Sequence, residues 1–193
     1  VGFKIGKTDW EFISNSFVIF PRIGFHFDDF GHGPGNAVVT QSGGDICPVA
    51  VRVDRTQNHA GVQFVNGQFM ATLEVGPENR GPVKLTNCGF WGTEATREHV
   101  RHSGPSSLVL TACHFTGWDQ GRKGDPCIRA TGGRLIVNGC EFMDEGKQPI
   151  LLEKGLKAAT IFGCCFRGAK GVEDQSGGDV QVGLNTGSAG RKG

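Results

Sequence analysis

A short unit recurs along this chain at nearly constant register: an alternating strand, a small residue or Asn, then Cys or Gly, any residue, and Phe. It runs as Val62-Gln63-Phe64-Val65-Asn66-Gly67-Gln68-Phe69 and returns as Val83-Lys84-Leu85-Thr86-Asn87-Cys88-Gly89-Phe90. Further copies are Leu108-Val109-Leu110-Thr111-Ala112-Cys113-His114-Phe115, Leu135–Phe142 and Thr160–Phe166, and a weaker one, Phe12–Phe17, lies two periods before Gly67. The Cys/Gly positions are 21, 25, 27 and 24 residues apart. Periods of this length mark repeat architectures, in which each unit buries its apolar face on the next.

A second strand follows most copies: Gly24–Phe27, Val49–Val53, Ala71–Val75, Cys127–Ala130 and Ile150–Glu153, each with the alternation of a half-buried strand. Turn clusters such as Gly132-Gly133 and Pro77–Gly81 separate them. Two or three short strands per variable period, with no helical stretch, have one natural solution. The chain coils, and each strand pairs in parallel with its equivalent one turn away at the ~4.8 Å strand spacing. Leucine-rich repeats need a Leu-dominated pattern, and antiparallel sandwiches would not repeat the same residues at the same register. The expected fold is all-β: a right-handed parallel β-helix, or solenoid, of about seven to eight coils with Cys and Phe ladders inside. Asn66 and Asn87 fit a corner where a stacked amide ladder bonds along the axis.

Composition agrees. Glycine supplies 32 of 193 residues, about 17% against a usual ~7%, with no collagen period. Lys+Arg 20 against Asp+Glu 19 leaves no basic excess for a phosphate backbone, which argues against a nucleic-acid partner. No apolar run approaches the roughly 18 residues of a membrane span, so no membrane partner is expected. Seven cysteines, an odd number, do not form a fully paired framework. Four of them, Cys88, Cys113, Cys140 and Cys164, occupy equivalent repeat positions and are expected as reduced, buried, small core residues. The solenoid is expected to occupy 1–185 as a single domain, with a flexible polar tail at 186–193. Val1–Ile5 already reads as a strand without a cap. The chain is therefore expected to be a segment of a longer β-helix, or to have its first coil covered by an N-terminal extension or an oligomer contact.

The Asn-Cys-x-Phe and Gly-Cys-x-Phe turns, with insertions between them, resemble the pectate-lyase-like superfamily of right-handed β-helices over roughly residues 11 to 184. That group includes polysaccharide lyases, polygalacturonases and phage tailspikes. The resemblance implies a secreted or cell-surface protein whose partner is a polysaccharide. It implies no cofactor, except Ca²⁺ if the chain is a lyase. No catalytic motif of a named member stands at a matching place, so candidate site residues come from the residues themselves.

If Cys and Phe of each Cys-x-Phe face inward, the middle residue faces out. This gives a column Gln68, Gly89, His114, Glu141 and Cys165, with His114 and Glu141 one rung apart as a candidate acid–base pair or, equally, a surface ion pair. Glu94 and Asp119 follow the Phe by four residues, and stacked carboxylates one or two rungs apart bracket glycosidase separations. Arg97, Arg122 and Lys147 come next in the same turns and could grip a polyuronate or form a salt-bridge ladder. Trp91 and Trp118 could offer indole platforms to sugar rings or fold back over the coil, and Trp10 is expected as an end plug. His26, Asp28, Asp29 and His32 group as metal ligands do, but without ligands from another coil they assign no metal. The leading expectation is a polysaccharide lyase or glycoside hydrolase acting on a long glycan. The alternative is a non-catalytic binding stalk, fibre or scaffold.

Overall fold

Alternation within each segment lets one face of a strand bury its side chains while the other stays wet, and the structure uses it three times per turn. The computed structural model describes residues 1–187. A coil runs through one strand in each of three sheets, as in Val100–His102, Ser107–Thr111 and His114–Thr116. The first sheet stacks eight strands from Phe3–Ile5 to Val172–Asp174, and the second stacks eight from Glu11–Ser14 to Asp179–Gly183. The third stacks six, from Phe17–Ile19 to Glu141–Phe142. Neighbouring strands pair in parallel with their equivalents one coil away, as Leu85 does with both Phe64 and Leu110. The described residues contain no helix. The chain is a parallel β-solenoid of about seven coils, as the repeat predicts.

The recurrent motif has a specific backbone cause. Between the second and third sheets every coil turns through one residue in the left-handed region: Asn15 (φ 51°), Gln41 (49°), Asn66 (55°), Asn87 (52°), Ala112 (51°), Gly139 (61°), Gly163 (67°) and Leu184 (50°). Asn and Gly tolerate that conformation best, which is why the motif opens on them. Asn87 Nδ2 donates to Asn66 Oδ1 at 2.9 Å, the expected amide contact along the axis.

The next residue points inward. There Cys88, Cys113, Cys140 and Cys164 are buried, each thiol close to the carbonyl two residues back, as for Cys88 Sγ to Thr86 O at 3.4 Å. The neighbouring Cys113 thiol, together with burial, raises the pKa of Cys88 and of Cys140. Two residues further on, Phe69, Phe90, Phe115, Phe142 and Phe166 form a continuous ring ladder with centroids 5.1–5.3 Å apart. Both ladders lie in one uninterrupted apolar core.

Two features of the ends differ from expectation. Trp10 is 74% exposed, so it plugs nothing, and Phe12, Phe17 and Phe20 beside it are exposed as well. Of the expected tail 186–193, Thr186 pairs with Cys165 as a further rung of the third sheet. Residues 188–193 lie outside the described residues.

Candidate functional site

Outward positions are fixed by the same registers that fix the core. Gln68, Gly89, His114, Glu141 and Cys165 form the anticipated column on the third sheet, each paired with the next. The backbone makes His114 and Glu141 neighbours, but their side chains turn apart. Glu141 Oε1 accepts from Arg167 Nε at 2.6 Å. The imidazole leans the other way, over Gly89: a Cβ added there would lie 2.8 Å from His114 Nε2 and 2.5 Å from Gln68 Oε1. Gly89 therefore makes room for His114, and no acid–base hydrogen bond joins His114 to Glu141.

The carboxylates after each Phe fall in loops of unequal length, and the loops break the stacking. Glu94 is exposed in the loop 92–99. Asp119 is buried in the loop 117–127, where its oxygens accept the backbone N–H groups of Lys123 (2.7 Å) and Gly124 (3.0 Å). Asp119 is thus engaged in closing a turn. Trp118 is fully buried and its indole N–H donates to the Gln148 carbonyl at 3.0 Å. It packs edge-on against Phe142, extends the core, and presents no platform to a sugar. Lys147 is spent on the same loop, bonded to Asp144 at 2.8 Å and to the Trp118 carbonyl, with its ammonium over the Trp118 ring. Arg122 is exposed at the tip of that loop, and Trp91 is half-buried on the third sheet beside Thr116.

Arg97 is the member of the anticipated set that borders a real cavity. The turn of one coil, residues 70–71, is short, whereas the next coil inserts 92–99 between its third and first sheets. The longer loop overhangs the shorter turn and leaves a cleft of about 420 Å³, within the range of small-ligand sites. Its apolar side is Ile46, Pro48, Val49, Met70 and Ala71, and its polar side is Thr93, Thr96, Glu74, Arg97 and Arg101. Arg97 forks onto Asp125 through Nε (2.7 Å) and Nη2 (2.9 Å), which raises the guanidinium pKa and lowers that of the carboxyl. The Arg97 side chain is still 61% exposed, so donors of its fork remain open to a ligand.

Behind Arg101 runs a charge ladder up the first sheet. Arg52, Glu74, Arg101 and Arg129 occupy one outward column. Arg101 reaches Glu74 at 3.1 Å and also bonds Glu98, while Arg129 bonds Glu98 at 2.6 Å and Glu153 at 2.7 Å. Glu98 is 4% exposed, a buried carboxylate held between two guanidinium groups from consecutive coils. Sequence reading missed Glu74, Glu98, Arg101 and Arg129. The signal for Glu74 was present in the alternation Leu73-Glu74-Val75. Val100-Arg101-His102 carries the same alternation but follows the long loop 92–99.

A second, shallower groove of about 510 Å³ crosses the corner of the first coils between Asn15, Phe17, Gln41, Asn66 and Gln68, and among the described residues its lining carries no charged side chain.

No protein-family model matches the chain, and comparison with curated proteins and with solved structures finds no match.

Proposed function

We propose that this chain is a carbohydrate-binding β-helix that holds an acidic glycan in the cleft over residues 70–71, and that it belongs with the pectate-lyase-like β-helices of secreted or surface proteins. The observation that carries this reading is the lining of the cleft. An apolar floor of Ile46, Pro48 and Met70 suits a sugar ring face, and the guanidinium groups of Arg97 and Arg101 on one wall suit a uronate carboxylate. Binding is favoured over cleavage because the carboxylates in or beside the cleft are already tied to arginine: Glu74 and Glu98 to Arg101, and Asp125 to Arg97. A glycosidase or lyase needs a group free to exchange a proton at the reacting atom. His114 and Glu94, which have no such tie among the described residues, do not line this cleft.

Isothermal titration with polygalacturonate, and with dextran as a neutral polymer, tests the reading, with Ca²⁺ present so that a lyase would be active. The expected result is saturable binding of the polyuronate alone, weakened by salt and at least ten-fold weaker in Arg97→Gln. Absence of binding, or equal binding by that variant, overturns it. Release of unsaturated uronate or of reducing ends from a polysaccharide panel would replace binding by the lyase or hydrolase reading.

A further inference from the structure

We infer that His26, Asp28 and Asp54 form a binding site for one first-row divalent transition-metal ion. The sequence places His26 and Asp28 on and just after one strand, Ile23–Phe27, and the coil adds a third ligand from the rung above. Phe27 pairs with Val53, which brings Asp54 alongside the end of that strand. One ligand atom from each of the three side chains lies within 4.8 Å of the other two, and all three residues are half-buried on the flank of the first sheet. His26 Nε2 and Asp54 Oδ2 are 2.8 Å apart. Two ligands about 2.1 Å from a metal are about 3.0 Å apart at a right angle and about 3.4 Å apart at a tetrahedral one, so an ion entering this hydrogen-bonded pair need part its atoms by only a few tenths of an ångström.

The alternative is a self-contained ion-pair cluster, since two arginines now neutralise the acids. Arg52 Nε bonds Asp54 Oδ2 at 2.9 Å, and Arg55 Nη1 lies 3.3 Å from both Asp28 and Asp29. Both arginines are exposed enough to move, and each has a second acid within reach: Glu74 at 3.9 Å for Arg52 and Glu78 at 4.0 Å for Arg55. A cation entering the cluster can displace them onto those acids, and so need not strand a charge. Among the described residues, Asp28 Oδ2 and Asp54 Oδ1 accept no hydrogen bond, which leaves each carboxylate an oxygen for a ligand. Metal binding would take the place of the His26–Asp54 hydrogen bond, with Nε2 offering its lone pair to the ion. One imidazole and two carboxylates suit Zn²⁺, Mn²⁺ or Ni²⁺. Ca²⁺ seeks six to eight oxygens and Mg²⁺ keeps most of its waters, so both should bind poorly.

The test uses tag-free protein freed of metal by chelation, titrated calorimetrically with ZnCl₂, MnCl₂, NiCl₂, CaCl₂ and MgCl₂. The expected result is one equivalent of a transition metal bound, with a raised melting temperature, and at least ten-fold weaker binding in His26→Ala and in Asp54→Asn. Co²⁺ substitution should give a visible d–d spectrum that both variants lose. If either variant fails to fold, Asp28→Asn, on the loop after the strand, takes its place. No stoichiometric binding by the wild-type chain overturns the inference, and so does undiminished binding in the folded variants. None of the three ligands lines the cleft, so glycan titration of the metal-free protein is a separate test.

Discussion

Acid should weaken this fold well before its carboxylates are protonated, and His102 is the reason. It occupies an inward position of the first sheet, in the column that holds Val75 and Ala130, and is 1% exposed. Its Nε2 lies 3.2 Å from the Ser106 carbonyl, while Nδ1 has no hydrogen-bond partner among the described residues. Burial lowers its pKa from 6.5 to about 4, so the folded chain holds it neutral where the unfolded chain would protonate it. Between those two values the unfolded state binds the extra proton, and unfolding becomes easier as pH falls; above pH 6.5 the full contribution is present. Integrating that difference gives a loss of about 2 kcal/mol by pH 5 and about 3 kcal/mol by pH 4. Urea unfolding of the wild type and His102→Leu at pH 7, 6, 5 and 4.5, followed by fluorescence of the buried Trp118, measures it. The leucine variant should lose less stability on acidification by about those amounts. His99, whose pKa burial also lowers, contributes in the same direction but is present in both proteins and cancels. Parallel losses in the two proteins from pH 7 to 4.5 would refute the reasoning.

Phe115 stacks between Phe90 and Phe142 at 5.1 Å on either side; Phe115→Ala should cost about 3–5 kcal/mol in chemical denaturation, and a cost below 1 would mean the ladder is loosely packed. Ala112→Gly should stabilise the chain by about 0.5–1 kcal/mol, because the left-handed corner costs a non-glycine residue roughly 1–2 and glycine's extra chain entropy returns only part of it. In native protein a thiol reagent should rapidly modify Cys165 alone, the one half-buried cysteine, and all seven after denaturation; fast native labelling of the ladder thiols would contradict the packing.

How much of this was legible in the sequence follows from where register survives. Within strands a side chain is fixed by period two and by its partner one coil away, so the Cys and Phe columns, the Asn66–Asn87 contact and the outward neighbours His114 and Glu141 could all be placed from spacing. The left-handed corner preserves that register in each coil, because one residue in that conformation turns the chain without adding length. Loops do not conserve register. Residues 70–71, 92–99 and 117–127 join the same two sheets with very different lengths, so Glu94 and Asp119, equally spaced after their Phe, meet unrelated surroundings.

The same inequality that hid the loop contacts creates the cleft. A solenoid of identical turns would repeat the same ladders on every face, and the cleft over residues 70–71 arises because a long turn stands beside a short one. Buried Glu98 shows what such a loop must also provide. The insertion 92–99 carries it inward beneath Arg101 and Arg129, two guanidinium groups that the stacked strands place on consecutive rungs. Side by side without an acid between them, those like charges would repel. With Glu98 between them they are held firmly, and Arg101 is positioned on the wall of the cleft. The lining of the cleft is therefore set by loop length and by the buried acid the loop delivers, on a ladder whose spacing the repeat has already fixed.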